Sequence, residues 1–474
     1  KVEKPIETPV NTKETVKNPE PTPKPTPKPK PQPQKPKSQK PAPQKKKEPW
    51  CPDPKLEFHM GFDFQYLNIN NKGYGLIALM PEFAICKIGI GLYMPIVILS
   101  YQHFFYSKKW YNHNEWDFKS PSDSLHDFII KFMYIYYGKK GDPFYIRIGT
   151  IPDITFGNGF IMNQYSNMLG FPTIRRIGFE LGYIYNNLVG IETMCADLGR
   201  REIYGGRFLV KPFGQVQMKM LSKFEIGTTL VSDVNTDEKN SKVINWGFDA
   251  GMPILTTPLF NIKYSLDWAT YSVYAPTLTG IDGWKGSGNF GFATGFRGNL
   301  SIFLLRAEYR YLKNGYISEY FDPLYEAERG NKFIDLLAMY NNPSPSIVNG
   351  YLVELGTTIS GAGKLGFRFQ EYYGDSIQNK ARNKARVYLT LQKGVIPYGY
   401  GTFTYDKLNV VGLTGKRSLF GNLYDENTVL TFDGAIKLVT FVYMKIYYQR
   451  TYKYYSKDNL VSNETYSTGL TMSF

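Results

Sequence analysis

From about residue 54 onward, polar and apolar side chains alternate with a period of two over segments of about ten to fourteen residues, separated by turn residues, which is the signature of strands. In the stretch 304–311, Arg306, Glu308 and Arg310 share one face, while Leu305, Ala307, Tyr309 and Tyr311 share the other. In 384–392 the polar set is Lys384, Arg386, Thr390 and Gln392, against Ala385, Val387, Leu389 and Leu391. The same division sets Arg368 and Gln370 against Phe367 and Phe369, and Lys445 and Gln449 against Met444, Ile446 and Tyr448. One face is apolar and the other ionic.

Strand length separates two architectures with that pattern. Strands of soluble sandwiches run near five or six residues, whereas a tilted strand crossing a bilayer needs about nine to eleven. The segments of this chain meet the longer figure repeatedly. No run of 18 apolar residues occurs, because Lys, Arg, Thr, Gly or Gln interrupts each apolar stretch, so spanning by helices is not expected. In lipid, strands must close on themselves to satisfy every backbone donor and acceptor.

The connections alternate in length as such a barrel requires. Long ones are expected near 99–125, 152–175, 273–287, 313–347 and 407–425. Tight ones are expected at 138–143, 256–259, Arg297-Gly298-Asn299, 360–364 and 393–397. The expected fold is all-β: a closed antiparallel transmembrane barrel of about 20 strands, within a range of 16 to 20, spanning 54–474.

Residues 1–53 have a different character. The first 49 residues hold 14 of the 30 prolines and no aromatic residue, with 13 Lys and 5 Glu for a net of +8 out of the whole chain's +15. Such a segment cannot bury enough surface to offset its ordering entropy, so a disordered arm with polyproline II character is expected. Dividing the charge this way leaves +7 for the rest and removes the nucleic-acid signal, and no nucleic-acid motif is present. Cys51, Cys86 and Cys195 lie far apart, without zinc or redox spacing; one disulfide and three isolated thiols both remain open. Lys1 opens into polar sequence, so export carries the expectation of a signal removed ahead of this numbering.

The chain closes on Ser467, Gly469, Met472 and Phe474, with Tyr466, Leu470, Met472 and Phe474 alternating on one face. This terminal pattern, polar-x-Gly-x-x-hydrophobic-x-aromatic, resembles the terminal strand of bacterial outer-membrane β-barrel proteins. The resemblance implies an outer-membrane location, outer-membrane lipid around the wall, and the barrel-assembly machinery as biogenesis partner, reading those four residues as its signal. It further implies a porin-like class, with the arm in the periplasm. The Lys/Pro composition of the arm is similar to the periplasm-crossing linkers of TonB-type energy-coupling proteins.

Candidate chemistry is sparse. Of His59, His103, His113 and His126, three fall in the 99–127 connection with no motif that assembles a catalytic set, so they are read as surface residues and no enzyme is expected. The glycines of 156–160 lack a P-loop lysine. Asp233 to Asp237 opens like a calcium loop, but Glu238 and Ile244 stand where Gly and an acid are needed, so no metal site is assigned; no cofactor is expected either. What remains is the ionic face: Arg147, Arg207, Arg306, Glu308, Arg310, Arg368, Lys384, Arg386 and Lys445 are expected to line the lumen and set selectivity, or to pair across the wall and stiffen it. A barrel this size should hold water rather than a packed interior. The segment 152–175 is rich in Phe, Met, Gly and Asn, too apolar for solvent, and is expected to fold inward and narrow the pore.

The expected function is a porin-like channel for passive diffusion of small solutes with weak anion bias. The arm, residues 1–49, would touch peptidoglycan or a periplasmic protein. Two other readings are an adhesin or structural anchor presenting the 99–125 and 313–347 loops, and a subunit of a larger envelope complex.

Overall fold

The computed structural model describes residues 51, 56–69, 72–99, 120–169, 171, 174–218, 220–236, 240–276, 283–286, 288–341, 347–359, 362–374, 383–410, 418–425, 427–456 and 459–473. The 1–49 arm, His103, His113 and Phe474 lie outside them.

The strands form one closed antiparallel ring of twenty. They are β1 Leu56–Ile69, β2 Lys72–Ile85, β3 in two pieces (Ile88–Leu92 and Met94–Leu99), β4 Phe132–Tyr137, β5 Phe144–Gly149, β6 Gly178–Tyr185 and β7 Val189–Cys195. Next come β8 Ile203–Val210, β9 Glu225–Asp233, β10 Lys242–Thr256, β11 Phe260–Tyr274, β12 in two pieces (Lys285–Gly286 and Phe290–Leu300) and β13 Phe303–Lys313. The circuit ends with β14 Ile347–Ile359, β15 Gly363–Tyr373, β16 Lys384–Ile396, β17 Gly399–Leu408, β18 Thr428–Val439, β19 Val442–Ser456 and β20 Asn459–Ser473. Each strand pairs with its sequence neighbour, and β1 closes on β20 from Gly61 opposite Ser473 to Ile69 opposite Thr465. No free edge remains, which is the condition for placing a sheet in lipid.

Period-two alternation decides which face goes where. Phe58, Phe64, Tyr66, Phe208, Phe248, Leu266, Phe296, Leu355, Ile436 and Leu470 point outward and are exposed, while Asp63, Arg207, Asp249, Arg306, Arg310 and Arg368 point inward and are buried. Two turns differ from expectation. Arg297, Gly298 and Asn299 belong to β12, in register with Arg306, Leu305 and Leu304, and the hairpin turns at Ser301 and Ile302, because Leu300 opposite Phe303 closes the ladder. Likewise β16 runs on to Ile396 through an irregularity after Leu391, and its turn is Pro397-Tyr398.

The longest connections leave one end of the barrel, and of those at the other end only 211–224, between β8 and β9, is more than a short turn. Strands β4 to β8 are only six to eight residues long, against fifteen in β10, β11, β19 and β20, so the wall is low on that side. The chain that could have lengthened β5 turns inward at Gly149, whose φ is 115°. At the opposite, short-connection end, Cys51 is disulfide-bonded to Cys86 in the β2–β3 turn, while Cys195 is free and buried.

Candidate functional site

The described residues of two long connections, 150–177 and 314–341, fill one side of the barrel. In the first, Ile151, Ile154, Phe156, Phe160, Ile161, Met162 and Tyr165 are buried, which the apolar content of this segment demands once it leaves solvent. Its fold is fixed by its own ladder, Ile154 with Tyr165, and by Asn167, which caps the Ile151 amide at 2.7 Å and reaches the Ala196 carbonyl at 2.9 Å. Expected to enter the lumen, it does: Asn158 donates to the Ala250 carbonyl of β10 at 3.1 Å, and Arg306 of β13 donates to the Asn158 carbonyl at 3.2 Å.

In the adhesin reading the second connection would face outward. It folds inward instead. Glu319 and Phe321 donate their amides to Phe160 and Ile161, and the Asn163 amide returns to Phe321 at 2.9 Å, so the two connections interlock as one unit. Phe160 stacks on Tyr316, which stacks on Tyr271 of β11. The helix α1, Tyr325–Asn341, follows; Phe333, Leu336 and Leu337 join the apolar cluster beneath it, with Val231, Val243 and Val273 of β9, β10 and β11. Leu324 packs against Leu408 and Val429 on the facing arc of wall. The plug thus bridges the long-connection end from one arc to the other.

Ion pairs clamp it. Arg329 makes a bidentate pair with Asp233, both bonds 2.6 Å, and a third bond to Glu202 at 2.7 Å. Arg176 reaches Glu326 at 2.9 Å. Asp322 takes Lys332 at 2.7 Å and Lys384 of β16 at 2.5 Å. Glu319 sits among three arginines: it accepts from Arg310 at 2.7 Å, from Arg306 at 3.5 Å and from Arg368. Burial alone would raise the Glu319 carboxyl, but Arg368, Arg310 and Arg306 outweigh it and hold it at about 2. Burial opposes Asp322 in the same way, and Lys332 with Lys384 keeps it well below the usual carboxylate range.

The expected lumen residues all face inward, but most are paired. Arg306 and Arg310 both bond Glu308, and Arg297 joins them at 2.5 Å. Arg207 pairs with Asp249, its Nε at 3.0 Å. Arg386 lies 3.7 Å from Asp406 and Lys445 lies 3.6 Å from Asp63. Arg147 donates to the Thr150 carbonyl at 2.6 Å and covers the Tyr134 ring. The water-filled interior expected over the whole circumference is therefore restricted, because the loops occupy the arc from β5 to β15 and, at the long-connection end, reach across to Lys384, Leu408 and Val429 of β16, β17 and β18. On the remaining arc, inward-facing Glu57 and His59 of β1, Thr402 of β17 and Asp433 of β18 are exposed. Among the described residues no group of three His, Cys, Asp or Glu lies close enough to hold a metal ion.

Sequence reasoning missed Glu202, Asp233, Glu319, Asp322, Glu326, Arg329 and Lys332. A signal existed for part of this set: Glu328 and Lys332 stand four apart, with Phe333, Leu336 and Leu337 at helical spacing, a pattern of period 3.6 inside an otherwise period-two chain. At the terminal strand, Ser467 is buried against Gln65, Tyr466 and Leu470 face out, and Met472 shares their face.

A closed antiparallel ring of twenty strands, apolar outside and ionic inside, is a transmembrane barrel of the outer-membrane type. No protein-family model matches the chain, and no curated protein matches its sequence. Among solved structures it is similar to the copper transporter OprC, at 10% identity over 89% of this chain and 81% of that one, with a TM-score of 0.36. It is also similar to Pseudomonas aeruginosa OccK5, at 8% identity over 90% and 99% of the two chains with a TM-score of 0.35. CdiB from Acinetobacter baumannii aligns at 8% identity with a TM-score of 0.26 over 88% of this chain, which spans 60% of CdiB's length. At these values the class rests on the barrel's own geometry.

Proposed function

We propose that the protein is an outer-membrane channel for passive diffusion of small solutes, with a weak anion bias and no enzymatic activity, whose pathway runs off-centre along β16 to β20 and β1. The observation that carries this reading is the contrast between the two arcs: inward side chains from β5 to β15 lie under the plug, which touches β16 to β18 only near their long-connection ends, while Thr402 and Asp433 farther down the wall remain exposed. Arg306, Arg310 and Arg368 contribute less to ion preference than their number suggests, because Glu308 and Glu319 neutralise them. The bias comes instead from Lys393 of β16 and Lys437 of β18, which face the lumen toward the short-connection end, with Lys445 of β19 beside them but already held by Asp63, and with Glu57 and Glu82 among the opposing charges.

In this reading the short-connection end faces the periplasm, where an oxidising compartment suits the Cys51–Cys86 bond. The arm 1–49 contacts peptidoglycan or a periplasmic protein there, and the barrel-assembly machinery reads Ser467, Gly469, Met472 and Phe474. The test is conductance of the purified full chain in planar bilayers, with the reversal potential measured in a salt gradient. Discrete steps smaller than an unobstructed barrel would give, with a small anion-favouring potential, are expected. A silent bilayer overturns the channel.

A further inference from the structure

We propose that the short-connection rim carries a binding site for the phosphate headgroup of an anionic phospholipid; the proposal rests on the transmembrane reading. Between the β4–β5 and β6–β7 turns lies a groove of about 540 Å³, bordered by Pro143, Tyr183, Tyr185, Asn186, Asn187 and Lys211. That volume lies in the range of small-molecule sites. Its polar floor is built: Asn186 and Asn187 both hold positive φ, 48° and 55°, and Asn187 is pinned by its 2.7 Å bond to the Gly214 carbonyl. The Lys211 amide bonds the Leu188 carbonyl at 2.6 Å, which fixes the base of the lysine beside the groove, where its ammonium also acts electrostatically on Glu225.

The groove opens onto an apolar row. Phe144, Tyr183, Ile191 and Phe208 lie in one cross-strand register on the outward face, exposed by 40%, 42%, 46% and 50%. Tyr185, next outward in β6, is exposed by 54% between that row and the polar floor. An aromatic step between hydrocarbon and headgroup is the level at which tyrosine belts sit in barrels. A free anion would use the floor alone; a lipid uses the floor and the row. The sign of the headgroup follows from the rim. Among the described residues of the short connections, Lys87, Lys139, Lys140, Lys211 and Lys223 outnumber the one acid, Asp142. Lys87 pairs with it and Lys140 with Glu180 and Asp153, so the excess charge comes from Lys139, Lys211 and Lys223. Such a rim attracts anionic lipid by a few-fold per lysine.

The test is native mass spectrometry of the full chain in detergent, titrated with phosphatidylglycerol, phosphatidylcholine or inorganic phosphate. One phosphatidylglycerol should be retained in preference to phosphatidylcholine, and Lys211→Gln should weaken retention about five-fold. Tyr185→Ala should also weaken it, while Lys223→Gln, on the same rim but outside the groove, should not. Equal retention of phosphatidylcholine, equal loss in K223Q, or displacement by inorganic phosphate alone would overturn the site. Retained heat-modifiable migration checks that each variant is folded. Conductance should be unchanged in K211Q, so loss of the lipid site and failure of the channel reading give different results.

Discussion

Glu319 draws its low pKa from three arginines that belong to two different strands, so its protonation would loosen the plug from the wall at several points at once. Its folded pKa of about 2 lies below the unfolded carboxylate value, so its stabilisation is fully present above about pH 4.3 and is lost as pH falls toward 2. Single-channel records should therefore be steady from pH 8 to pH 5 and turn noisy below about pH 4. Glu319→Gln should show that noise already at neutral pH, and a quiet neutral record from E319Q would rule the clamp out. Arg329→Ala leaves Asp233 and Glu202 buried without their cation, a loss of about 3–5 kcal/mol by analogy with broken buried pairs. Thermal unfolding followed by circular dichroism, together with protease access to α1, would measure it. A third residue-level test uses close approach: a Cβ on Gly291 would lie 2.3 Å from the Tyr316 ring and 2.8 Å from Phe160. Gly291→Val should push the plug off the wall and raise conductance, with strand content unchanged.

At the scale of elements, what was legible in the sequence depended on whether its cause was local. The strands were readable because pleat and lipid impose the same period-two rule, so Arg306, Glu308 and Arg310 fall on one face in the chain and in the barrel alike. The inward course of 150–177 was readable too, since Phe156, Phe160, Ile161 and Met162 cannot be left in solvent. The inward course of 314–341 was not, because its clamps join residues far apart: Arg329 and Asp233 are separated by 96 positions. Its helix was hidden for a further reason, as its charged residues look like a solvated face until their partners on the wall are known. Strand ends slipped at 297–299, where Gly298 and Asn299 sit inside a regular ladder, and at 393–397, where Gly394 with φ 93° lies in an irregular stretch of β16 that still pairs at Ile396. Because the two connections exchange backbone bonds through Phe160, Ile161 and Phe321, they should behave as one element. Deleting 156–172 or 325–341 should each raise single-channel conductance several-fold, and deleting both should add little more than either alone. Unchanged conductance in either single deletion would show that the plug does not border the pathway.

For the whole molecule, the plug makes the circumference unequal and assigns transport and stiffness to different arcs. From β5 to β15 the inward charges are spent on one another and on the loops, and buried pairs of this kind are weakly screened by salt. From β16 through β20 to β1 the strands are mostly long, and Asp63, Gln65, Asp406, Gln449 and Ser467 are buried there. Thr402 and Asp433 are exposed and Tyr400, Tyr447 and Lys445 are half-buried, so these five are what a solute meets. Ion preference should consequently respond to charge on the second arc and hardly at all to charge on the first. Lys437→Glu and Lys445→Glu should each move the reversal potential toward cations, by an amount that shrinks as ionic strength rises and the Debye length falls from about 10 Å at 0.1 M toward 3 Å at 1 M. Asp433→Asn should move it toward anions. Arg207→Gln, on the first arc, should leave the reversal potential in place while lowering thermal stability, since Asp249 loses its partner. A reversal potential that follows Arg207 and ignores Lys437 and Asp433 would put the pathway through the plugged side, and the crescent along β16 to β1 would then have to be abandoned.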